Sequence, residues 1–288
     1  MSLPDGGVSL QPAPALPAGS VAADSTGPEP LYPSAFYFDR ALSRWVPVAR
    51  GSLSPDGSSY AYPIFPALDQ EVMRIVDVRT GDIRAYPANY GEFNNGPRYV
   101  VLDYAREGIY LGLAYEGPVG GLWLMDLNTG AIRDAGPNYF SPVMAVAGSA
   151  VWFGSVNPAD PNPAPGGIAT PPDSVDRFDF VTGSQTPWLY LPGTAVQVVA
   201  VDAAGHPVVQ VLHGFSSTDK AELLVLTAPG LAHQVFHGTW SELQNLASPI
   251  ADSHGVWFGS PAGIYLYSPA VGMRKVSDHA GYPGNGCT

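Results

Sequence analysis

The chain has 288 residues, 45% apolar and 13% charged, with 33 Gly, 30 Pro and a net charge of −12 from 13 basic and 25 acidic side chains. That length and apolar content allow a large core, whereas the charge level lies well below the roughly 25% of an ordinary soluble domain. No Lys/Arg cluster occurs, which argues against nucleic acids and anionic membrane surfaces as partners; the acidity suits solubility or a neutral or cationic ligand.

Along the chain one turn recurs. A β-rich stretch ends in a polar residue, and four residues later comes Gly or a small stand-in. The instances run from Asp39 to Ser43, Asp77 to Gly81, Asp126 to Gly130, Asp179 to Gly183, Leu226 to Gly230 and Ser268 to Gly272. The intervals between the final turn residues are 38, 49, 53, 47 and 42. A repeat of that length, filled with short strands and tight turns, predicts an all-β six-bladed β-propeller, four antiparallel strands per blade, as a single domain over residues 1–288.

In chain order, the first blade takes its A–B turn from Pro4-Asp5-Gly6, strand B from 8–11, strand C from 35–39 and strand D from 45–48. Its strand A is expected from the other end, near 284–288, so that both termini close the ring and hide two sheet edges. The second blade enters through Ser54-Pro55-Asp56-Gly57, with B over 59–65, C over 72–78 and D over 82–86. The third reads 99–104, 108–114, 122–127 and 131–134; the fourth 143–146, 150–156, 174–180 and 186–191. The fifth reads 196–201, 207–212, 222–226 and 233–237; the sixth 248–252, 255–259, 263–267 and 273–276. The one helical pattern is Trp240 to Leu246, about two turns. Two Pro-rich B–C loops, 12–34 and 157–172, are long enough to be solvated insertions or lids.

The Ser-Pro-Asp-Gly turn and the apolar-Asp-x-x-Thr-Gly turn resemble the repeats of TolB-like and WD40-like bacterial propellers. The resemblance spans most of the chain in its rhythm, weakens at Thr227-Ala228-Pro229-Gly230 and Ser268-Pro269-Ala270-Val271-Gly272, and bears on fold rather than activity.

In such a fold the B–C and D–A connections share one face. Here the D–A connections collect aromatics with Asn, Gln and His: 86–95, 137–140, Trp188 to Tyr190, 237–245 and 278–282. Flat rings and planar amides suit sugars, peptides and protein surfaces. The leading expectation is therefore a non-catalytic binding module for a glycan, peptide or protein partner, with Tyr90, Asn94, Tyr139, Trp240, His279 and Tyr282 as contacts. The alternative is a lactonase-like hydrolase or lyase, with Glu92, Glu242 and His279 as acid/base groups or, with Asp278, as ligands of a channel-mouth ion. A structural protein of a surface assembly is the third reading.

No cofactor or dedicated metal site is expected. His233 and His237 would lie about 13 Å apart on a strand, and Asp173, Asp176 and Asp179 lack a calcium-loop pattern. No Gly-x-Ser-x-Gly occurs; Ser260 sits in a turn. Cys287 has no internal partner. The chain as written shows no signal peptide and no membrane-spanning run. Its acidic, Lys-poor composition favours a secreted or cell-surface protein over a cytoplasmic one, and the start at an A–B turn fits a domain cut from a longer chain.

Overall fold

The structure, a computed structural model, describes residues 37–39, 43–48, 50–67, 70–88, 99–113, 121–136, 144–155, 172–252 and 254–279. Among these residues it is nearly all β: twenty-one short strands and one five-residue α-helix, arranged as antiparallel sheets in two compact units.

The first unit comprises residues 1–114, 124–133 and 284–288. In it β1 (Tyr37–Asp39) pairs with β2 (Arg44–Val46), and β3 (Ser59–Ala67), β4 (Gln70–Asp77) and β5 (Ile83–Ala88) form a three-stranded sheet. A four-stranded sheet, most of it in this unit, runs β6 (Tyr99–Tyr104), β7 (Ile109–Leu113), β8 (Trp123–Met125), β9 (Ile132–Asp134). Val46, Val48, Leu53 and Val78 pack as one apolar cluster with Tyr60 and Tyr62 beside it.

The second unit, residues 115–123 and 134–283, holds three four-stranded sheets in strict chain order. They are β10 (Met144–Ala147), β11 (Ala150–Ser155), β12 (Ser174–Asp179) and β13 (Gln185–Tyr190); β14 (Ala195–Val201), β15 (Pro207–Leu212), β16 (Lys220–Ala228) and β17 (Leu231–Thr239); and β18 (Ala247–Asp252), β19 (Gly255–Ser260), β20 (Gly263–Ser268) and β21 (Gly272–Ser277). The inner strands of the middle sheet, β15 and β16, are largely buried on both faces and read as near-continuous apolar runs, whereas β17 is mostly exposed. Along β15, Val209 and Val211 join Trp152, Val175, Val196 and Val198 in one core, while Val208 joins Leu223, Leu243, Val256 and Phe258 in another.

The recurrent turn is a physical object in all six places. Ser43, Gly81, Gly130, Gly183, Gly230 and Gly272 have φ of +50°, +78°, +72°, +66°, +75° and +80°. Each closes a hairpin between two consecutive strands, and Ser43 is the sole non-glycine with positive φ among the described residues. In the three Asp-x-x-Thr-Gly turns the Oδ1 of Asp77, Asp126 and Asp179 accepts from the main-chain N–H two residues on, at 2.9, 2.9 and 3.0 Å. It also accepts from the N–H three residues on, at 2.7, 2.7 and 3.0 Å. The glycine N–H donates back to the aspartate carbonyl at 2.9, 2.9 and 2.8 Å. Chiefly through the N–H groups of Thr80, Thr129 and Thr182, these bonds hold the three carboxyls below their ordinary value. In the Ser-Pro-Asp-Gly turn, Asp56 accepts from the Ser58 N–H at 3.0 Å and from the hydroxyls of Ser54 and Ser58 at 2.7 and 2.8 Å.

Strand positions follow the sequence pattern closely, with three differences. The β3–β5 sheet has three strands rather than four. A 3-10 turn over Arg50–Ser52 and a single bridge, Leu53↔Tyr60, stand where its first strand was expected. Pro47, Gly51 and Pro55 deprive that stretch of ladder donors and strand propensity. Trp188 and Tyr190, which the sequence placed both in strand D (186–191) and among the D–A connections, lie inside β13, so the strand reading holds and the connection reading does not. The ladder passes from Val175↔Leu189 to Asp176↔Pro187, so Trp188 is the extra residue of a bulge at Pro187 and the strand runs on. β17 likewise extends through His237 to Thr239. The first-blade strands at 8–11 and 284–288, and the loop segments 12–34 and 157–171, lie outside the described residues.

Two predictions follow from the turns. Gly81→Ala should cost about 1–2 kcal/mol from its left-handed backbone alone, because a Cβ there meets open space. Gly130→Ala should cost more, because its Cβ would run into the Tyr86 ring, whose hydroxyl donates to the Leu127 carbonyl at 3.0 Å. Equal losses in urea unfolding would contradict this. The hydrogen bonds on Asp56, the Ser58 N–H first among them, lower its pKa from 3.8 to about 2. A carboxyl with a depressed folded pKa contributes stability above its unfolded value and loses it as pH falls through the folded one. Urea midpoints should therefore fall between about pH 4 and pH 2, with a shallower fall in Asp56→Asn.

Candidate functional site

Among the described residues the one α-helix is α1, Trp240–Gln244, which joins β17 to β18 in the second unit. Its N-terminus carries a capping box, Thr239-x-x-Glu242. The Thr239 hydroxyl oxygen accepts from the Glu242 N–H at 3.3 Å, and Glu242 Oε2 accepts from the Thr239 N–H at 2.8 Å. The same oxygen takes the Thr239 hydroxyl at 3.0 Å.

The loop 213–219 between β15 and β16 is fastened to that N-terminus. The carbonyls of Asp219 and Ser217 accept from the N–H groups of Trp240 and Ser241, at 2.8 and 3.0 Å. Asp219 in turn accepts from the Ser216 N–H at 2.7 Å. At the loop base, Glu222 meets His213 Nε2 at 2.6 Å and Lys220 Nζ at 3.1 Å. Burial raises the Glu222 pKa, but these two partners outweigh it and leave the carboxyl below its ordinary value. The Phe215 ring, 65% exposed, leans edge-on against Trp240 with centroids 6.2 Å apart. A D–A and a B–C connection thus meet at one end of their sheet.

Beneath α1 lies a cleft of about 340 Å³ between the second and third sheets of this unit. Trp240, Leu243, Gln244 and Leu246 form its roof. Val199, Leu212, Leu223, Pro249 and Phe258 form the walls, and Gln197 and Gln210 put two amides on the floor. Among the described residues, no ionisable side chain lines it. Gln197 is paired with Gln210 across β14 and β15, and Gln210 with Leu223 across β15 and β16, so these side chains share one face.

Of the contacts expected from sequence, Trp240 is in this cleft. Glu242 is exposed on the outer side of α1, its carboxylate engaged by Thr239. The Thr239 N–H, first among its partners, keeps its pKa below the ordinary glutamate value. His279 is exposed at the end of the described chain, its N–H donating to Ser277 Oγ at 3.1 Å. The neighbouring Asp278 pairs with Lys275 at 2.7 Å. Tyr90, Glu92, Asn94, Tyr139, Tyr282 and Cys287 lie outside the described residues. Asp173 and Asp176 are buried, and Asp176 accepts from Gln185 at 2.7 Å. Ser260 accepts from the Ala262 N–H at 3.0 Å in a tight hairpin. Among the described residues, no group of three His, Cys, Asp or Glu side chains is placed to hold a metal ion.

Gln197, Gln210 and Phe215 escape a reading based on connections, since two of them are mid-strand. The signal was present: Val196-Gln197-Val198 and Val209-Gln210-Val211 repeat one tripeptide, and the two copies face each other.

No protein-family model and no curated protein sequence matches the chain. Solved structures do. A prolyl endopeptidase aligns with a TM-score of 0.55 at 12% identity, over 84% of this chain and 38% of its own. The acylaminoacyl peptidase of Pyrococcus horikoshii aligns at 0.51 and 10%, over 82% and 39%. TolB from Acinetobacter baumannii aligns at 0.48 and 17%, over 80% and 54%. This chain thus spans less than two fifths of the length of either peptidase. At such identities the two peptidase likenesses bear on fold alone: the chain has a β-propeller-like fold.

Removing the cap should loosen the roof of the cleft. Thr239→Ala is expected to cost about 1 kcal/mol in urea unfolding; an unchanged midpoint would mean that α1 is held by its packing alone.

Proposed function

We propose that the chain is a single six-bladed β-propeller domain acting as a non-catalytic binding module, with the cleft under α1 as its site. The repeat of six hairpins closed by a left-handed residue supports the blade count. The binding reading rests on one observation: a cleft of about 340 Å³, apolar on its walls, lined by amides and an indole and, among the described residues, by no ionisable group. Ligand sites combine apolar walls with a few placed polar groups; here the polar share, from the glutamine amides and the indole, is large. A hydrolase site needs a convergent acid/base group or metal, whereas the Glu242 carboxylate already serves as a helix cap. The ligand is neutral and polar, a glycan or peptide segment, with Trp240 offering a flat ring. Contacts from Tyr90, Asn94, Tyr139, His279 and Tyr282 belong to the same proposal as further parts of the loop face.

A thermal-shift screen against neutral saccharides and short uncharged peptides tests it. A ligand at 100 times its Kd should raise the midpoint by about 4–5 °C, and Trp240→Ala should abolish the rise. A midpoint that instead falls with a chelator and returns with one metal ion would favour the lactonase-like alternative.

A further inference from the structure

Gln197 and Gln210 are direct neighbours across β14 and β15, which places their Cβ atoms about 5 Å apart. Gln244 faces the same space from α1. Each primary amide offers one carbonyl acceptor and one NH2 donor. None of the three has a hydrogen-bond partner for its side chain among the described residues. The remaining lining is Val199, Leu212, Leu223, Trp240, Leu243, Leu246, Pro249 and Phe258.

We infer that the cleft recognises a neutral secondary amide bearing an apolar substituent, the chemistry shared by an N-acetylated sugar and an N-acylated amino acid. The inference rests on the binding reading above. A secondary amide has one N–H and one C=O. A glutamine carbonyl accepts the first, and the NH2 of the neighbouring glutamine donates to the second. Its methyl or side chain then packs on the aliphatic walls, where burial is favourable. A plain hexose would leave several hydroxyls against Leu and Phe side chains, which costs free energy for each one unpaired. An ionised ligand would find no opposite charge in the lining.

The test is calorimetric titration of the full chain with N-acetylglucosamine, glucose and N-acetyl-leucinamide. Binding by one or both amide probes, and not by glucose, supports the inference, and the tighter of the two names the source. Gln210→Met should weaken that probe by about 3- to 10-fold, the worth of one neutral hydrogen bond. Gln197→Met, at an exposed position, provides the same comparison if the first variant folds poorly. Glucose binding as tightly as N-acetylglucosamine, or glutamine variants that bind as the parent does, would overturn the amide inference while leaving a binding site. No heat with any probe and no thermal shift with the wider panel would overturn both.

Discussion

One backbone constraint underlies the architecture: each C–D hairpin turns through a residue with φ between +50° and +80°. L side chains avoid that region, so Gly fills five of the six positions and Ser43 the other. The carboxylates of Asp77, Asp126 and Asp179 then gather the main-chain N–H groups that the turn leaves without partners. The hairpins also tie neighbouring sheets together within each unit. The Gly230 N–H donates to the Trp188 carbonyl at 2.8 Å in the second, and the Tyr86 hydroxyl reaches the Leu127 carbonyl in the first.

Once the turns fix register, side-chain direction follows, because alternate residues of a strand face opposite sides. Along β15, the second strand of the middle sheet of the second unit, both sides face core. Valines at 196, 198, 209 and 211 fill one side, and replacing the apolar residue on the other side by Gln at 197 and 210 turns part of that side into a polar floor. Val208 and Leu223 keep the rest of it dry. A short helix held by its capping box, with the 213–219 loop hydrogen-bonded to its first turn, roofs this floor without adding charge. The cleft is thus two polar interruptions of otherwise apolar strands, covered by one local exception to the all-β pattern.

How much of this is legible in sequence depends on how local the cause is. Turns and strands were readable because Gly at a left-handed position and period-2 alternation leave marks within a few residues. The helix was readable from Trp240, Leu243 and Leu246, and Thr239-x-x-Glu242 marks its start. The missing strand at 50–52 and the bulge at Trp188 turn on proline and glycine placement, which sequence shows, and on neighbouring backbone, which it does not. The cleft was half legible. Trp240 stands in a connection, where function is usually sought, but Gln197 and Gln210 lie in strands that look like pure core. Pairing across β14 and β15 is what brings them together. A related repeat also spans sheets: Val-Trp-Phe-Gly-Ser occurs at 151–155 and 256–260, in the second strand of two different sheets.

The most direct measurement is an NMR titration of the labelled protein with N-acetylglucosamine or N-acetyl-leucinamide, following side-chain NH2 signals. The account predicts that the signals of Gln197, Gln210 and Gln244 move together with the Trp240 indole N–H, while those of Gln185 and Gln234, elsewhere on the same unit, stay fixed. Shifts confined to residues outside the cleft, or none in the three glutamines at saturating probe, would contradict it.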